Sequence, residues 1–179
     1  AVMTHEFADS KLAYIRDIFI FASFTALSFV DIQELTNDNI VEVNGEKWIL
    51  SKRHKTKVAF QVKLLDIPLQ IIERYRAFQE NNLVFPNLNY WSICKRMGKM
   101  IKECGITKKI SFHCSRHGFA TLALSKGMPI ESVSRILGHT NIETTQIYAK
   151  ITVQKLDNDL TMLGDKLSKS FGNVKLTKI

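Results

Sequence analysis

Apolar residues near the N-terminus recur every three or four positions, which predicts a helix over residues 6–24. The positions on its apolar stripe are Leu12, Ile15, Phe19 and Ala22. The apolar run at 18–24 is much shorter than the roughly 20 residues that a membrane span requires. We therefore expect a buried helix of a globular domain and no contact with a membrane.

The middle of the chain changes to short apolar segments of strand length. Segments 40–43 and 47–50 flank Asn44 and Gly45, a pair that favours a tight hairpin turn because both residues accept positive φ. A third strand is predicted at 58–62. These segments together indicate one small antiparallel sheet.

The remaining segments have mostly helical patterns. Helices are predicted at 68–79 and 90–104, with a loop at 81–87 between them. Three short helices follow, bounded by His113 and Gly127, by Pro129 and Gly138, and by a cap at Asn141. The expected fold class is therefore α+β, mainly α, with a small three-stranded antiparallel sheet.

The composition is that of an ordinary soluble globular domain. The chain has 179 residues, of which 45% are hydrophobic and 23% are charged, and this length is sufficient for one substantial core. Its three cysteines form no C-x-x-C pair. Unpaired cysteines of this kind favour reduced thiols and a cytoplasmic location.

The net charge of +8 is unevenly distributed along the chain. Basic residues outnumber acidic ones by nine to two in residues 95–135, whereas acidic residues outnumber basic ones by seven to two in residues 1–45. Such a division indicates a surface that binds a polyanion. Lys95, Lys99 and Lys102 share one face of a predicted helix, and we expect this face to bind DNA phosphates without reading sequence.

Four residues near the C-terminal end form a set suited to phosphate chemistry. His113 and Arg116 are three positions apart and share a helix face. His139 follows a helix-ending glycine, and Tyr148 comes nine residues later. A guanidinium matches phosphate geometry, histidine moves protons near neutral pH, and a tyrosine hydroxyl needs such neighbours to become a nucleophile. The set indicates attack on a phosphodiester by Tyr148.

The order H-x-x-R at 113–116, L-G-H at 137–139 and then Tyr148 resembles the tyrosine recombinase (phage integrase) family. The resemblance runs over roughly the whole chain. It implies a catalytic domain over residues 1–165 and a basic C-terminal tail over 166–179. It also implies site-specific recombination of double-stranded DNA by strand cleavage and rejoining through a 3′-phosphotyrosyl intermediate.

The resemblance assigns a role to each matching residue. Arg116, His113 and His139 stabilise the phosphate while Tyr148 attacks it. Lys55 matches the K-T form of the family's catalytic lysine and is the general acid for the leaving 5′ oxygen. The chemistry needs no cofactor and no metal, and the implied assembly is a tetramer on two DNA duplexes.

One position departs from the family pattern. Where the family usually has G-L-R-x-x-E, with the first of two phosphate-binding arginines, this chain has Ser28, followed three residues later by Asp31. A branch found on conjugative transposons and similar mobile elements also lacks this arginine, and the chain resembles that branch. Arg53, two residues before Lys55 on a chain taken as extended, is our candidate for the missing charge. On this hypothesis Arg53→Ala abolishes cleavage and leaves folding intact.

Three alternatives stay open at this point. His113 and His117 have the i, i+4 spacing of a metal site, although no third ligand is marked and we interpret His117 as structural. Residues 129–148 also have the pattern of a helix-turn-helix, as in a DNA-binding regulator. The serine at position 28 is also compatible with a recombinase-like protein that binds DNA without cutting it.

Overall fold

In the computed structural model, helix α1 (Ser10–Thr25) is the element on which the other long helices pack. It contacts α3 (Asp66–Tyr75), α4 (Tyr90–Glu103) and α5 (Cys114–Ser125). Its buried apolar residues include Leu12, Ile15, Ile18, Phe21 and Ala22. The helix begins four residues later than predicted, because the side chain of Asp9 accepts a hydrogen bond from the backbone N–H of Lys11 and caps it. The structure describes residues 1–149 and 153–171.

The sheet has the predicted three antiparallel strands, in the order β1 (Ile40–Val43), β2 (Glu46–Lys52) and β3 (Ala59–Lys63). Asn44 and Gly45 both have positive φ, 53° and 77°, as the hairpin prediction requires. One face of the sheet contributes buried apolar side chains to the same core as α1. The fold class predicted from the sequence is confirmed.

The other helices of the first unit, residues 1–148, range from 4 to 14 residues in length. They are α2 (Phe29–Gln33), α3 (Asp66–Tyr75), α4 (Tyr90–Glu103), α5 (Cys114–Ser125), α6 (Ile130–Leu137) and α7 (Glu143–Gln146). Single 3-10 turns follow α2 and α3 at Asn37–Asn39 and Arg76–Phe78. The predicted bounds of α4 to α6 agree with these to within two residues, since Gly127 and Gly138 end their helices in the left-handed conformation.

The second unit, residues 149–179, contains helix α8 (Val153–Phe171). This helix runs through Gly164 into the first residues of the predicted basic tail, because a glycine inside a helix costs only about 1 kcal/mol. Residues 172–179 of the predicted basic tail lie outside the described residues. Among the described helices, none has the length and apolar content to cross a membrane.

Candidate active site

A cleft of about 680 Å³ collects five of the sequence-predicted site residues. It lies where the α1–α2 junction, the β2–β3 turn, the start of α5 and the end of α6 meet. The five residues are Arg53, Lys55, His113, Arg116 and His139. A second cavity, of about 540 Å³ beside the sheet and α3, contains none of them.

The C-terminal end of α6 orients both arginines of this cleft. The last carbonyls of a helix have no partner within it. Here Arg53 Nη2 donates to the carbonyl of Ile136 and Arg116 Nη2 donates to that of Leu137. The next residue is Gly138, with φ +64°, and a Cβ at this position would lie 2.8 Å from Cγ of Arg53. Glycine at 138 therefore permits both the helix end and the close approach of Arg53.

Among the described residues, Arg116 is held by two backbone carbonyls. Its second nitrogen, Nη1, donates to the carbonyl of Ala26 at 2.9 Å. Burial, with a further contribution from the charge of Arg53, lowers the pKa of Arg116 to about 10, so that it stays protonated at neutral pH. The two carbonyls fix the guanidinium without neutralising it. Arg116 therefore has a full positive charge for an anion in the cleft.

Arg53 is held differently, by an ion pair. The residue is 4% exposed, and its Nη1 donates to Oδ2 of Asp31 at 2.7 Å. The guanidinium also lies 3.9 Å from the ring centroid of Phe60, a cation–π contact. Burial lowers the pKa of Arg53, and the Asp31 carboxylate opposes this effect. Within the described part of the chain, the Nε–H of Arg53 has no hydrogen-bond partner.

Ser28 and Asp31 form the capping box of α2. The Ser28 hydroxyl donates to Oδ2 of Asp31 at 2.8 Å, and the same carboxylate accepts from Arg53 and from the backbone N–H of His54. Burial raises the pKa of Asp31, but these hydrogen bonds and the charge of Arg53 together leave that pKa below its ordinary value. The hydroxyl at position 28 is thus bonded to Asp31, and the positive charge beside it comes from Arg53.

The β2–β3 turn brings Arg53 and Lys55 to the same cleft, although the extended chain assumed for these residues is wrong. Strand β2 ends at Lys52, and the backbone N–H of Lys57 donates to the carbonyl of Arg53 at 2.9 Å, which closes a tight turn. Arg53 is consequently buried while Lys55 is exposed. Between them, His54 Nδ1 lies 2.7 Å from Oε2 of Glu34 and links the turn to α2.

The burial of the Arg53–Asp31 pair also changes the expected outcome of Arg53→Ala. Alanine at position 53 would leave a carboxylate buried without its cation, which is strongly destabilising. The Arg53→Ala variant is therefore expected to lose stability as well as cleavage. A variant that removes both charges is needed to test the role of Arg53.

The pKa values of the two histidines of the cleft are both lowered, which favours the neutral form. Burial lowers the pKa of His113, and the charges of His117 and Arg116 act in the same direction. Burial likewise lowers the pKa of His139, with Arg116 and Arg53 contributing. Nδ1 of His139 lies 2.9 Å from the hydroxyl of Thr145, a fully buried residue of α7. Thr145 therefore fixes the imidazole so that Nε2 is left for a ligand.

Tyr148 lies beside the cleft and outside its lining. Its ring packs on His117 at a centroid distance of 5.2 Å, and His117 in turn contacts the edge of His113 at 4.4 Å. Burial raises the pKa of Tyr148, although the nearby positive charge of Arg116 lowers it in part. The residue that the sequence interpretation treated as structural, His117, thus joins the predicted nucleophile to the predicted catalytic histidine.

The three predicted DNA-binding lysines lie on the exposed face of α4. Residues Ile93, Met97, Met100 and Ile101 bury the other face. Lys99 approaches Glu103 at 3.8 Å, a pair exposed enough to contribute little to stability. Across residues 1–149 and 153–171 no group of three or more histidine, cysteine, aspartate or glutamate side chains is arranged to hold a metal ion.

The sequence profile of the phage integrase family matches residues 3–155, which include the sheet, the cleft and Tyr148. This chain belongs to the phage integrase family. Tyrosine recombinase XerD of Listeria innocua is 45% identical over 149 residues, which cover 74% of this chain and 48% of that protein. Tyrosine recombinase XerA of Pyrococcus horikoshii is 32% identical over 142 residues, covering 70% and 47%. The chain spans about half the length of these relatives.

Solved structures of a site-specific recombinase and of a transposon integrase share the fold. XerH recombinase bound to its difH substrate in a pre-cleavage complex has a TM-score of 0.71 at 23% identity, covering 90% of this chain and 50% of that one. The Tn1549 transposon integrase in complex with a circular intermediate DNA has a TM-score of 0.68 at 18% identity, covering 86% and 62%. At these identities the likeness establishes the fold alone.

The sequence interpretation missed two residues that organise the site. Asp31 was noted only as the acidic residue after Ser28, yet its carboxylate joins α2 to the β2–β3 turn. His117 was set aside because it follows Arg116 and faces another direction. Its spacing of one helical turn from His113 was the available signal, since such residues lie next to each other on a helix.

Proposed function

We propose that the chain is the catalytic domain of a tyrosine site-specific recombinase that integrates or recombines DNA through a 3′-phosphotyrosyl intermediate. One observation carries this proposal: two arginines, two histidines and a lysine line a single cleft, and the charge of Arg116 reaches Tyr148 and lowers its pKa in part. Such a cleft suits a pentacoordinate phosphate, whose negative charge is stabilised by fixed donors. Family membership and the recombinase relatives support the same reaction class.

In the proposed reaction, the Tyr148 oxygen attacks the phosphorus and the bond from phosphorus to the 5′ oxygen breaks. The phenol proton passes to His113 or to His117, and Lys55 donates a proton to the 5′ oxygen, which leaves as a hydroxyl. Arg116 and Nε2 of His139 bind the non-bridging oxygens. The 5′ hydroxyl of a partner strand then attacks the phosphotyrosine, which reverses these transfers and conserves the bond energy.

Tyr148 has to move for this attack, because its ring packs on His117 outside the cleft lining. The positive charge of Arg116 favours such a movement. A phosphate bound by Arg116 brings the reacting phosphorus to the residue whose charge already lowers the pKa of Tyr148. We propose that DNA binding draws the phenol from His117 towards Arg116.

We also propose that Arg53 replaces the arginine that the family usually has at position 28. Its guanidinium lies in the same cleft as Arg116 and lowers the pKa of both Arg116 and His139, which indicates how close the three groups are. Its Nε–H is buried, and the second protons of its two terminal nitrogens are the donors that a phosphate in the cleft can use. This arrangement supports membership in the branch of mobile-element integrases that lacks the first arginine.

The proposed assembly on DNA is a tetramer of four protomers on two duplexes, acting in the cytoplasm, with residues 1–165 as the catalytic domain. Lys95, Lys99 and Lys102 contact backbone phosphates from the exposed face of α4. Since such contacts carry no sequence information, this chain alone should bind DNA weakly and with steep salt dependence. Sub-micromolar binding at physiological salt would contradict this expectation.

A second candidate is a recombinase-like or regulatory protein that binds DNA without cleaving it. The position of Tyr148 on His117 and the bonding of the Ser28 hydroxyl to Asp31 favour it. Covalent trapping distinguishes the two candidates. Full-length protein is incubated with nicked suicide substrates made from the ends of its own element, and wild type is compared with Tyr148→Phe.

The recombinase proposal predicts a denaturation-resistant protein–DNA band for wild type and none for Tyr148→Phe. Both proteins should bind the substrate equally, which a mobility-shift measurement checks. DNA binding by wild type without any covalent band would favour the second candidate.

A further inference from the structure

The catalytic cleft has an aromatic wall as well as its cationic residues. Phe29, Tyr90 and Phe112 line it, and the ring of Phe29 lies 5.3 Å from that of Tyr90 and 5.6 Å from that of Phe112. Phe29 and Phe112 are buried, at 6% and 5% exposure, whereas Tyr90 is 55% exposed. The ring of Tyr90 is therefore the aromatic surface that a ligand in the cleft can contact, and Phe29 packs against this ring.

The Tyr90 ring is held in place before any ligand binds. Tyr90 is the first residue of α4, whose N-terminus is capped by Asn89 through a hydrogen bond from the N–H of Ser92 at 3.1 Å. The ring of Phe29, itself buried, packs against the ring of Tyr90 and limits its rotation, so less rotational freedom is lost on binding. A fixed aromatic surface of this kind binds flat ligands efficiently.

We propose that Tyr90 is a stacking site for an unpaired base of the DNA strand whose phosphate occupies the cationic part of the cleft. The inference rests on the proposed function and names a subsite of that function. A base inside a duplex has both faces covered by its neighbours, so it can stack on Tyr90 only after it leaves the helix. Leaving the helix costs least where the base is already unpaired, and stacking on an aromatic side chain offsets part of that cost.

The surroundings of Tyr90 favour a nucleotide over an apolar protein segment. A volume of about 680 Å³ lies within the range of sites for small ligands. The same cleft contains Arg116 and Lys55, which an apolar segment would leave without an anion, while a nucleotide supplies a flat base and a phosphate together. The exposed lysines of α4 begin one turn beyond Tyr90, at Lys95, and continue the positive surface away from the cleft.

Binding to two duplexes of one sequence tests the proposal. One duplex is fully paired, and in the other a central 2-aminopurine has no partner because the opposite strand carries an abasic site. Both are measured at low salt with the Tyr148→Phe form of the full chain, so that binding is observed without cleavage. Emission of 2-aminopurine reports stacking directly, and anisotropy reports affinity.

The expected preference for the unpaired duplex is about tenfold, a value within the range of base–aromatic stacking, together with quenched 2-aminopurine emission. Tyr90→Leu keeps an apolar contact with Phe29 but removes the flat ring, and it should abolish both the preference and the quenching. Tyr90→Phe should retain both. Phe78→Ala, which removes an aromatic ring that is 67% exposed outside the cleft, is the matched control and should retain both.

Two outcomes would overturn the stacking site. One is an equal affinity of the Tyr148→Phe chain for the paired and the unpaired duplex. The other is a preference that survives when folded Tyr90→Leu is added to that chain, because the preference would then belong to another surface. Because the Tyr148→Phe chain has no nucleophile, the result is independent of covalent trapping. Failure to trap would overturn the proposed reaction and leave the stacking measurement interpretable.

Discussion

The two arginines of the cleft occupy similar positions and are held by different chemistry. Arg116 donates to the backbone carbonyls of Ala26 and Leu137, and Arg53 donates to the carboxylate of Asp31 and the carbonyl of Ile136. Both therefore bind the C-terminal end of α6. The difference lies in charge, since Asp31 balances the charge of Arg53 and no carboxylate bonds to Arg116 in the described part of the chain.

This difference explains how Arg53, a residue of the β2–β3 turn, can place a cation in the cleft. Arg116 is part of a helix that is fixed on both sides, so neutral carbonyls are enough to orient it. Arg53 follows the end of a strand and is almost fully buried, which is costly for a charge without a counter-ion. Asp31 removes this cost and ties the turn to α2, but it also competes with a phosphate for the same guanidinium.

The largest effect on stability is expected at Asp31. Asp31→Asn leaves Arg53 buried without a counter-charge, and we expect the free energy of unfolding to fall by about 3–5 kcal/mol, measured by urea denaturation. The double variant Asp31→Asn/Arg53→Gln removes both charges and retains hydrogen-bonding groups. It should recover most of the lost stability. Equal stabilities of the single and double variants would show that the ion pair does not hold the turn.

Gly138→Ala tests the close approach of Arg53 to the end of α6. The added Cβ would meet Cγ of Arg53 at 2.8 Å and would require φ +64°. We expect a loss of about 1–2 kcal/mol from the left-handed backbone and about 1–3 kcal/mol more from the overlap. Gly127→Ala is the matched control, with φ +89° and nothing within 4 Å of its Cβ. Equal losses in the two variants would contradict the steric role assigned to Gly138.

Thr145→Val tests the third group at this end of α6, His139. The substitution removes the hydroxyl 2.9 Å from Nδ1 and should cost about 1 kcal/mol of stability. Cleavage should fall by about tenfold because the imidazole loses its fixed orientation. Thr145→Ser keeps the hydroxyl and should stay near the wild-type cleavage rate. If Thr145→Val cleaves as fast as Thr145→Ser, the Thr145 hydroxyl does not orient His139 for cleavage.

The smallest effect is on histidine titration, which separates the influence of the two arginines. Arg53 contributes to the lowered pKa of His139, whereas the lowered pKa of His113 comes from burial, His117 and Arg116. Removing a positive charge favours protonation, so Asp31→Asn/Arg53→Gln should raise the pKa of His139 and leave that of His113 unchanged. NMR titration of both imidazoles measures this. An equal shift of both would mean that Arg53 does not act locally.

The lowered pKa values of His113 and His139 determine how stability changes with pH. Both histidines bind protons more weakly in the folded chain than in the unfolded chain. The unfolded state therefore takes up more protons as pH falls below about 6.5, and stability is fully present above that pH and declines below it.

Elements with local signals were predictable from the sequence. The Asn44-Gly45 hairpin and the bounds of α4 depend on turn residues and caps that lie within a few positions. The helical structure of residues 166–171, in the predicted basic tail, was not predicted, because Gly164 is only a weak helix breaker and α8 runs through it.

The site shows the same division. The H-x-x-R and L-G-H motifs gave Arg116 and His139 directly, since both are positioned by helix ends. The ion pair of Arg53 with Asp31 joins residues 22 positions apart, and the contact of His117 with Tyr148 joins α5 to the turn that follows α7. No local pattern specifies such pairs, because tertiary packing decides them. Arg53 was selected for its charge, and the turn geometry that brings it to the cleft became visible only in the fold.

The most direct test of the account is the single-turnover rate of covalent protein–DNA formation by Asp31→Asn/Arg53→Gln, measured with full-length protein on the nicked substrate of its element. The account predicts a fall of about 10²–10³-fold in a variant that folds and binds DNA like wild type, as expected when one charge-stabilising donor is removed. Arg116→Gln should fall by at least as much. Cleavage at the wild-type rate by the folded double variant would contradict the claim that Arg53 supplies the charge missing at Ser28.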